Sequence, residues 1–290
     1  MTALADHVTR SGAAGGLRRM LGRANWSVRI GLAGVAVLAA AAIFAPILMP
    51  YDPVKLDLLA SLSPPSPAHP FGTDHLGRDI LTRVVYAARV DLQIGLIGVA
   101  VPLAIGVVMG LISAYFGGWV DAVIGRLIDV VIAFPFLVLV IAIVAMLGPG
   151  LVNLYIAITV VSWVLYARIL RGEALALKRR EFVLAAVSLG YGDGRIMFRH
   201  ILPNAIAPAF VFGMSDFVLD VQLGATLSFF GLGVQPPTPE WGLMIAESRS
   251  LIFTAPWVVL FPGLAIIFVS FFVSLIGDGL ADAVRGVDGG

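Results

Sequence analysis

The sequence predicts an all-α protein that crosses a membrane six times, and three observations lead to that fold class. Only 13% of the 290 residues are charged and 59% are hydrophobic, whereas a soluble domain carries about 25% charged residues. The mean hydropathy is +0.98. The apolar residues are gathered into six runs that reach or approach the roughly 20 residues a helix needs to cross the hydrocarbon core.

The six predicted spans divide the chain into an arm, a membrane domain and two long connections. Residues 1–29 form a predicted cytoplasmic arm, residues 51–90 an external segment and residues 168–204 a cytoplasmic loop. The third and fourth spans are separated only by a Gly-Pro-Gly turn, which predicts a tight hairpin. The membrane domain covers residues 30–290, and its predicted spans are 30–49, 92–115, 130–147, 151–167, 206–230 and 257–276.

Two local patterns refine this prediction near the second span. Ile80, Val84 and Ala88 share one helical face at the end of the external segment, which predicts an amphipathic surface helix at the outer interface, with its arginines toward the headgroups. Within the span itself, Gly106 and Gly110 form a GxxxG pair. Small residues at this spacing allow two membrane helices to pack closely.

The distribution of Lys and Arg predicts that both termini face the cytoplasm. Cytoplasmic connections of membrane proteins carry an excess of these residues. With the N-terminus inside, fourteen of the 19 Lys and Arg lie on the inner side and five on the outer side. Seven of the fourteen lie in residues 168–204, so this loop is expected in the cytoplasm.

The cytoplasmic loop contains apolar residues that lie outside the predicted spans. Glu181–Leu189 predicts a short helix, and Gly190 predicts a sharp turn because glycine adopts left-handed conformations readily. Asp193 is expected to cap a second helix that ends before Pro203. The residues alone leave two interpretations open: an amphipathic helix pair on the inner lipid surface, or a surface that inserts into a groove of a cytoplasmic partner.

Two carboxylates lie inside the fifth predicted span. Asp216 and Asp220 are four residues apart and therefore share a helix face. Intramembrane carboxylates usually face a bundle interior or a water-filled cavity. One interpretation places the pair along a translocation pathway, and the other places it in a hydrogen-bonded contact with a partner subunit.

Several function classes are disfavoured by composition and motifs. A net charge of +1 argues against nucleic acid as a partner. The chain has no cysteine, and its four histidines show no metal-binding spacing. Neither Lys55 nor Lys178 follows a glycine, so the usual ATP-binding loop is missing. The chain is therefore expected to be neither an enzyme nor a cofactor-binding protein. A proton-coupled secondary transporter is the alternative, with Asp216 and Asp220 as its candidate relay.

Five stretches together resemble the permeases of ABC importers. Ala185-Ala186, Gly190 and Ile201-Leu202-Pro203 resemble their "EAA" coupling loop. Four more stretches, in family order and spacing, resemble the C-type subunit of the dipeptide/oligopeptide/nickel permease family. They are HPFGTDHLGRDILTRVVYAARVDL (His69–Leu92), WVDAVIGRLIDVVIAFP (Trp119–Pro135), LSFFGLGVQPPTPEWGLM (Leu227–Met244) and the segment Ala255–Val284.

The resemblance implies a type I ABC-importer permease fold in a bacterial inner membrane. It implies a heterodimer with a B-type permease subunit, two cytoplasmic ATPases that bind ATP and Mg, and an extracytoplasmic substrate-binding protein. The implied cargo is di- or oligopeptides, with haem or nickel complexes also found in the family. The implied ATPase-coupling residues are Glu181, Leu184 (where relatives usually carry glutamate), Ala185, Ala186, Gly190, Asp193, Ile201 and Pro203.

Overall fold

A computed structural model describes residues 26–288, and over that range the secondary structure is helical apart from one bridge between Thr73 and Asp79. Residues 1–25 of the predicted arm lie outside this range. The helices of eight residues or more are α1 (Trp26–Ile43), α2 (Ile80–Phe116), α3 (Gly118–Ile132), α4 (Phe136–Leu147), α5 (Leu151–Leu177), α6 (Glu181–Ser188), α7 (Ala207–Phe229), α8 (Trp241–Ser248) and α9 (Trp257–Asp288). Shorter helical turns occupy Ala45–Leu48, Leu58–Ala60, Asp193–Arg195, Ile196–Ile201, Leu202–Ala205 and Arg249–Leu251.

Five helices in the described range are long and apolar enough to cross a membrane: α1, α2, α5, α7 and α9. The pair α3 and α4 makes a sixth crossing if it is counted as one span, but the two helices are bent by 88°. The predicted span at 130–147 is therefore not one straight helix. Pro135 explains the break because proline lacks an amide proton and disfavours a helical conformation in the preceding residue. The polytopic all-α fold is confirmed.

Helix α2 is longer than its predicted span because it absorbs the predicted surface helix. It continues without a break for 37 residues. Asp79 caps its start, since the carboxylate accepts a hydrogen bond from the amide of Thr82 at 2.8 Å. The first turns are not free at the interface, because Ile80 and Ala87 are buried in a cluster with Trp241. The expectation of a separate interfacial helix is wrong.

The GxxxG pair allows close helix packing, as predicted, and the structure shows that the partner helix is α5. A Cβ atom at Gly106 would lie 2.6 Å from the carbonyl oxygen of Trp163, and one at Gly110 would overlap the carbonyl of Ala167. These distances leave no room for a larger residue. The close approach buries Leu170 of α5 completely. The glycines therefore determine how α2 and α5 pack.

A buried cluster of charged residues joins the external segment to α8. Arg78 contacts Asp74 at 2.6 Å and Glu247 at 2.9 Å, and Arg83 contacts Glu247 at 3.5 Å. Arg83, only 1% exposed, also donates to the carbonyl of Pro53 at 2.9 Å. Buried charges are tolerated when they are paired in this way. The prediction that these two arginines face lipid headgroups is therefore wrong, because both are buried and paired with carboxylates.

Candidate coupling segment and translocation surface

The predicted cytoplasmic loop folds into a compact unit over residues 181–205, here called the coupling segment. Helix α6 ends at Ser188, and Gly190 follows with φ of +74°. This left-handed conformation favours glycine. The chain then makes helical turns from Asp193 to Ala205, including one π-helical turn at Ile196–Ile201. The predicted first helix and the turn at Gly190 are confirmed.

Two details of the coupling segment differ from the prediction. Asp193 makes no side-chain cap; instead its carboxylate accepts a hydrogen bond from the Tyr115 hydroxyl at 2.7 Å. The helical structure also continues through Pro203. Proline is accommodated there because it lies in the first turn of Leu202–Ala205, where the missing amide proton costs little.

One face of the coupling segment packs against the membrane helices. Ala186 and Ile201, two of the predicted coupling residues, are buried in this face. Their cluster includes Leu111 of α2 and Leu170 of α5. Ala186 and Ile201 therefore hold the segment against the spans and are not available to a cytoplasmic partner.

The opposite face of the coupling segment exposes large apolar side chains. Glu181, Leu184 and Ala185 of the predicted set lie on exposed positions, whereas Pro203 is half-buried. An exposed apolar patch on a soluble face commonly marks an interaction site. The sequence analysis selected Leu184 but not the other exposed apolar residues of this face. In the structure Val183 and Ala186 are the buried residues of α6, so the residues between them point outward. The patch consists of Phe182, Leu184, Val187 and Leu189, which are 43%, 54%, 53% and 70% exposed.

Polar contacts join the last turns of α5 to the C-terminal end of α2 and to the first turn of α3. Lys178 donates to the carbonyl of Ala114 at 3.4 Å and to that of Tyr115. These carbonyls lie at the end of α2, where a cation is favoured by the helix dipole. Arg171 of α5 donates hydrogen bonds to both carboxylate oxygens of Asp121 in α3, each at 2.6 Å. A bidentate pair of this kind restrains orientation as well as distance.

The predicted pathway carboxylates lie inside the chain. Asp216 accepts a hydrogen bond from the Tyr166 hydroxyl at 2.7 Å, and the two carboxylates are 4% and 1% exposed. Asp220 lies beside Gly98 of α2, where a Cβ atom would overlap its carboxylate. Neither of its oxygens has a hydrogen-bond partner among residues 26–284. Both acids therefore face the packing between α7 and its neighbours in this chain.

The exposed side of α7 carries three other polar residues together with one leucine. Ser215, Leu219 and Gln222 are exposed and Thr226 is half-exposed, at spacings of four, three and four residues. These four residues, here called the α7 stripe, lie along one helix face. Polar side chains within a membrane usually face a bundle interior or a water-filled cavity, not lipid. The four-residue spacing of Asp216 and Asp220 correctly placed them on one face of the helix. It could not show that this face is buried and that another face is exposed.

Comparison with known proteins assigns the family. The model of binding-protein-dependent transport system inner membrane components matches residues 106–286. The model of the N-terminal transmembrane domain of oligopeptide transport permease C matches residues 23–65. The two matches agree with a multi-pass inner membrane protein.

Curated relatives match over most of their length. The dipeptide transport system permease protein DppC of Alkalihalophilus pseudofirmus is 45% identical over 88% of this chain and 84% of the relative. The glutathione transport system permease protein GsiD of Pectobacterium atrosepticum is 42% identical over 92% and 88%. The crystal structure of an amino acid ABC transporter with histidines shares the fold at 16% identity, with a TM-score of 0.50 over 68% of this chain and 92% of that one. The chain therefore belongs to the family of inner membrane components of binding-protein-dependent transport systems, as a C-type subunit of the dipeptide/oligopeptide permeases.

Proposed function

We propose that this chain forms half of a membrane pathway through which an ATP-driven importer takes up peptides. Relatives named for dipeptide and for glutathione transport support this cargo class, since glutathione is itself a tripeptide. A B-type permease subunit supplies the other half of the pathway. An extracytoplasmic binding protein delivers the peptide, and both termini of this chain lie in the cytoplasm.

The observation that carries the proposal is the exposed apolar patch on a segment that packs against two membrane helices, α2 and α5. An ATPase groove covers Phe182, Leu184, Val187 and Leu189 in the manner of other helix-in-groove contacts. ATP-driven closure of two such ATPases displaces the coupling segment. Because its other face packs on α2 and α5, and Arg171 of α5 holds α3, the displacement passes to the spans as a rigid-body motion.

The chain transmits work and does not hydrolyse ATP in this proposal. Lys55 and Lys178 do not follow glycines, so neither matches a phosphate-binding loop. ATP and Mg therefore bind to the partner ATPases, and this subunit is non-catalytic. Glu181 and Gly190 shape the docking surface, because one begins α6 and the other sets the turn that follows it.

The α7 stripe lines the translocation pathway in this proposal. Its exposed polar side chains can exchange hydrogen bonds with a passing peptide while Leu219 limits the binding strength. Asp216 and Asp220 contribute from behind the stripe, by holding α7 to Tyr166 and against Gly98. A peptide therefore meets hydroxyl and amide groups along α7 before it meets a charge.

Cross-linking tests the docking surface directly, because the chain has no cysteine of its own. Leu184→Cys places a thiol on the exposed patch, whereas Val183→Cys places one on the buried face, where Val183 is 1% exposed. In the assembled complex, the first variant is expected to cross-link to an ATPase subunit and the second is not. Cross-linking of Leu184→Cys to lipid alone throughout the ATP cycle would remove the docking role.

Transport in proteoliposomes tests the energy source. Uptake of a dipeptide by the complete complex is expected to require ATP and the ATPases, and to persist when an ionophore collapses the proton gradient. A proton-coupled carrier behaves in the opposite way. Gradient-driven uptake without ATP would contradict the proposed function.

A further inference from the structure

The outer end of the α7 stripe leads into a groove between α7 and α8. Its volume is about 270 Å³, and Thr226 belongs to both the stripe and the groove. The lining is apolar apart from that hydroxyl. The lining residues are Ala225, Thr226, Phe229, Phe230, Gly242 and Ile245.

The groove is held in shape by contacts at the start of α8. A Cβ atom at Gly242 would overlap the backbone of Ala225, so α8 touches α7 directly at the floor of the groove. Glu240 caps α8 by accepting hydrogen bonds from the amides of Gly242 and Leu243 at 2.9 and 2.7 Å. The Trp241 indole donates to the carbonyl of Val84 at 3.0 Å. These contacts fix the start of α8 against α7 and α2.

An arginine lies beside the groove. The Arg249 guanidinium carbon is 6.0 Å from the centre of the Phe229 ring, and the side chain is exposed. Arg78 and Arg83, also on the outer side, are neutralised by Asp74 and Glu247. Arg249 has no ion-pair partner among the side chains of residues 26–284. A guanidinium without a protein partner is well suited to bind a carboxylate.

We propose that this groove and Arg249 form a cargo subsite at the outer mouth of the pathway, which binds the C-terminal residue of a peptide. Arg249 pairs with the free carboxylate, and the groove receives an apolar side chain. The groove is open to the surface, and its volume lies below the roughly 300–1,000 Å³ of sites that enclose a whole small molecule. It is therefore suited to contact one side chain and not to enclose a whole ligand. The proposal rests on the peptide cargo proposed above and names the kind of peptide the permease prefers.

The charge complementarity and the shared Thr226 favour cargo over the other possible occupants. A lipid tail needs no cation, and a lipid phosphate is not expected beside polar residues that lead inward along α7. The subsite acts after the binding protein has released the peptide. It therefore affects the transport rate of a bound peptide and not its affinity for the binding protein.

The test uses the complete complex in proteoliposomes, with binding protein saturated by one dipeptide at a time. Ile245→Trp fills the groove, and we expect it to slow uptake of Ala-Phe about tenfold relative to uptake of Ala-Gly. Ile252→Trp is the matched control, because Ile252 is 46% exposed and lies outside the groove. Equal effects on the two peptides, or none, would overturn the apolar subsite.

The carboxylate contact is tested with Arg249→Met and Arg249→Lys. The first variant is expected to slow both dipeptides about tenfold, and the second to restore most of the rate because it keeps the charge. Unchanged uptake by Arg249→Met would overturn this contact.

If Ile245→Trp does not assemble, Phe230→Ala enlarges the groove at a position that is 64% exposed, and loss of the preference for Ala-Phe over Ala-Gly is expected. A wild-type complex that imports neither dipeptide refutes the proposed function itself, whereas import without side-chain preference refutes only the subsite.

Discussion

Replacement of Gly190 by valine is expected to uncouple ATP hydrolysis from uptake, because this residue holds the coupling segment in its observed turn. Its φ is +74°. A left-handed conformation costs an L-residue about 1–2 kcal/mol, and the cost is greatest for a β-branched side chain. No atom lies within 4 Å of the position a Cβ would take. The penalty therefore arises from the backbone and not from a steric clash with the rest of the protein.

A penalty of about 2 kcal/mol lowers the ratio of the observed turn to alternative turns by about 30-fold. The assay is the number of peptides imported per ATP hydrolysed by the reconstituted complex. Gly192→Val is the matched control, since Gly192 has φ of −66° and ψ of 151° and also has open space around it. Valine adopts that extended conformation without strain. If both variants imported as many peptides per ATP as the wild type, the left-handed turn would have no part in coupling.

Three further changes test other parts of the structure. Tyr115→Phe removes the hydrogen bond to Asp193, which is worth about 1 kcal/mol. The variant is expected to lower the number of peptides imported per ATP by about fivefold. An unchanged number would show that coupling does not need this contact. Gly110→Leu is expected to reduce the yield and melting temperature of the detergent-purified complex, while Gly125→Leu, with no atom within 4 Å of its Cβ position, leaves both unchanged; equal behaviour would contradict the packing argument. Asp216→Asn retains an acceptor for its tyrosine donor and is expected to keep uptake within about twofold, so that a much larger loss would indicate a direct contact with cargo or ion.

Hydropathy predicted the five long membrane helices of the described residues, because each span must satisfy its backbone internally and bury an apolar surface. It located the end of α2 but not its beginning. Arg83 and Arg89 interrupt the apolar run. Hydropathy depends only on neighbouring residues, so it could not show that Arg83 pairs with Glu247, 164 positions away in the chain. The break before Pro135 was also missed, since proline within a span is often tolerated when neighbouring helices compensate.

The sequence predicted the position of the folded segment at residues 181–205, but not which of its residues face outward. The glycine turn and apolar character of residues 181–204 located the coupling segment, yet Ala186 proved to be buried and Leu189 to be exposed. The same limit applies to α7, where Asp216 attracted attention as a charge in a membrane. Helical periodicity states which residues share a face, but the direction of that face depends on the helices packed against it. Gln222 could therefore be identified only from the structure.

Helix α2 also has a mechanical consequence, because its two ends reach the two chemically different surfaces of the protein. At 1.5 Å per residue, its 37 residues form a rod about 55 Å long. Its first turns carry Arg83, which is held in the outer charged cluster, and its last turn carries Tyr115, which holds the coupling segment. A rod of that length that tilts by about 5° about one end moves the other end by about 5 Å. In the proposed function, a displacement of the coupling segment therefore tilts α2 against the charged cluster that holds its other end.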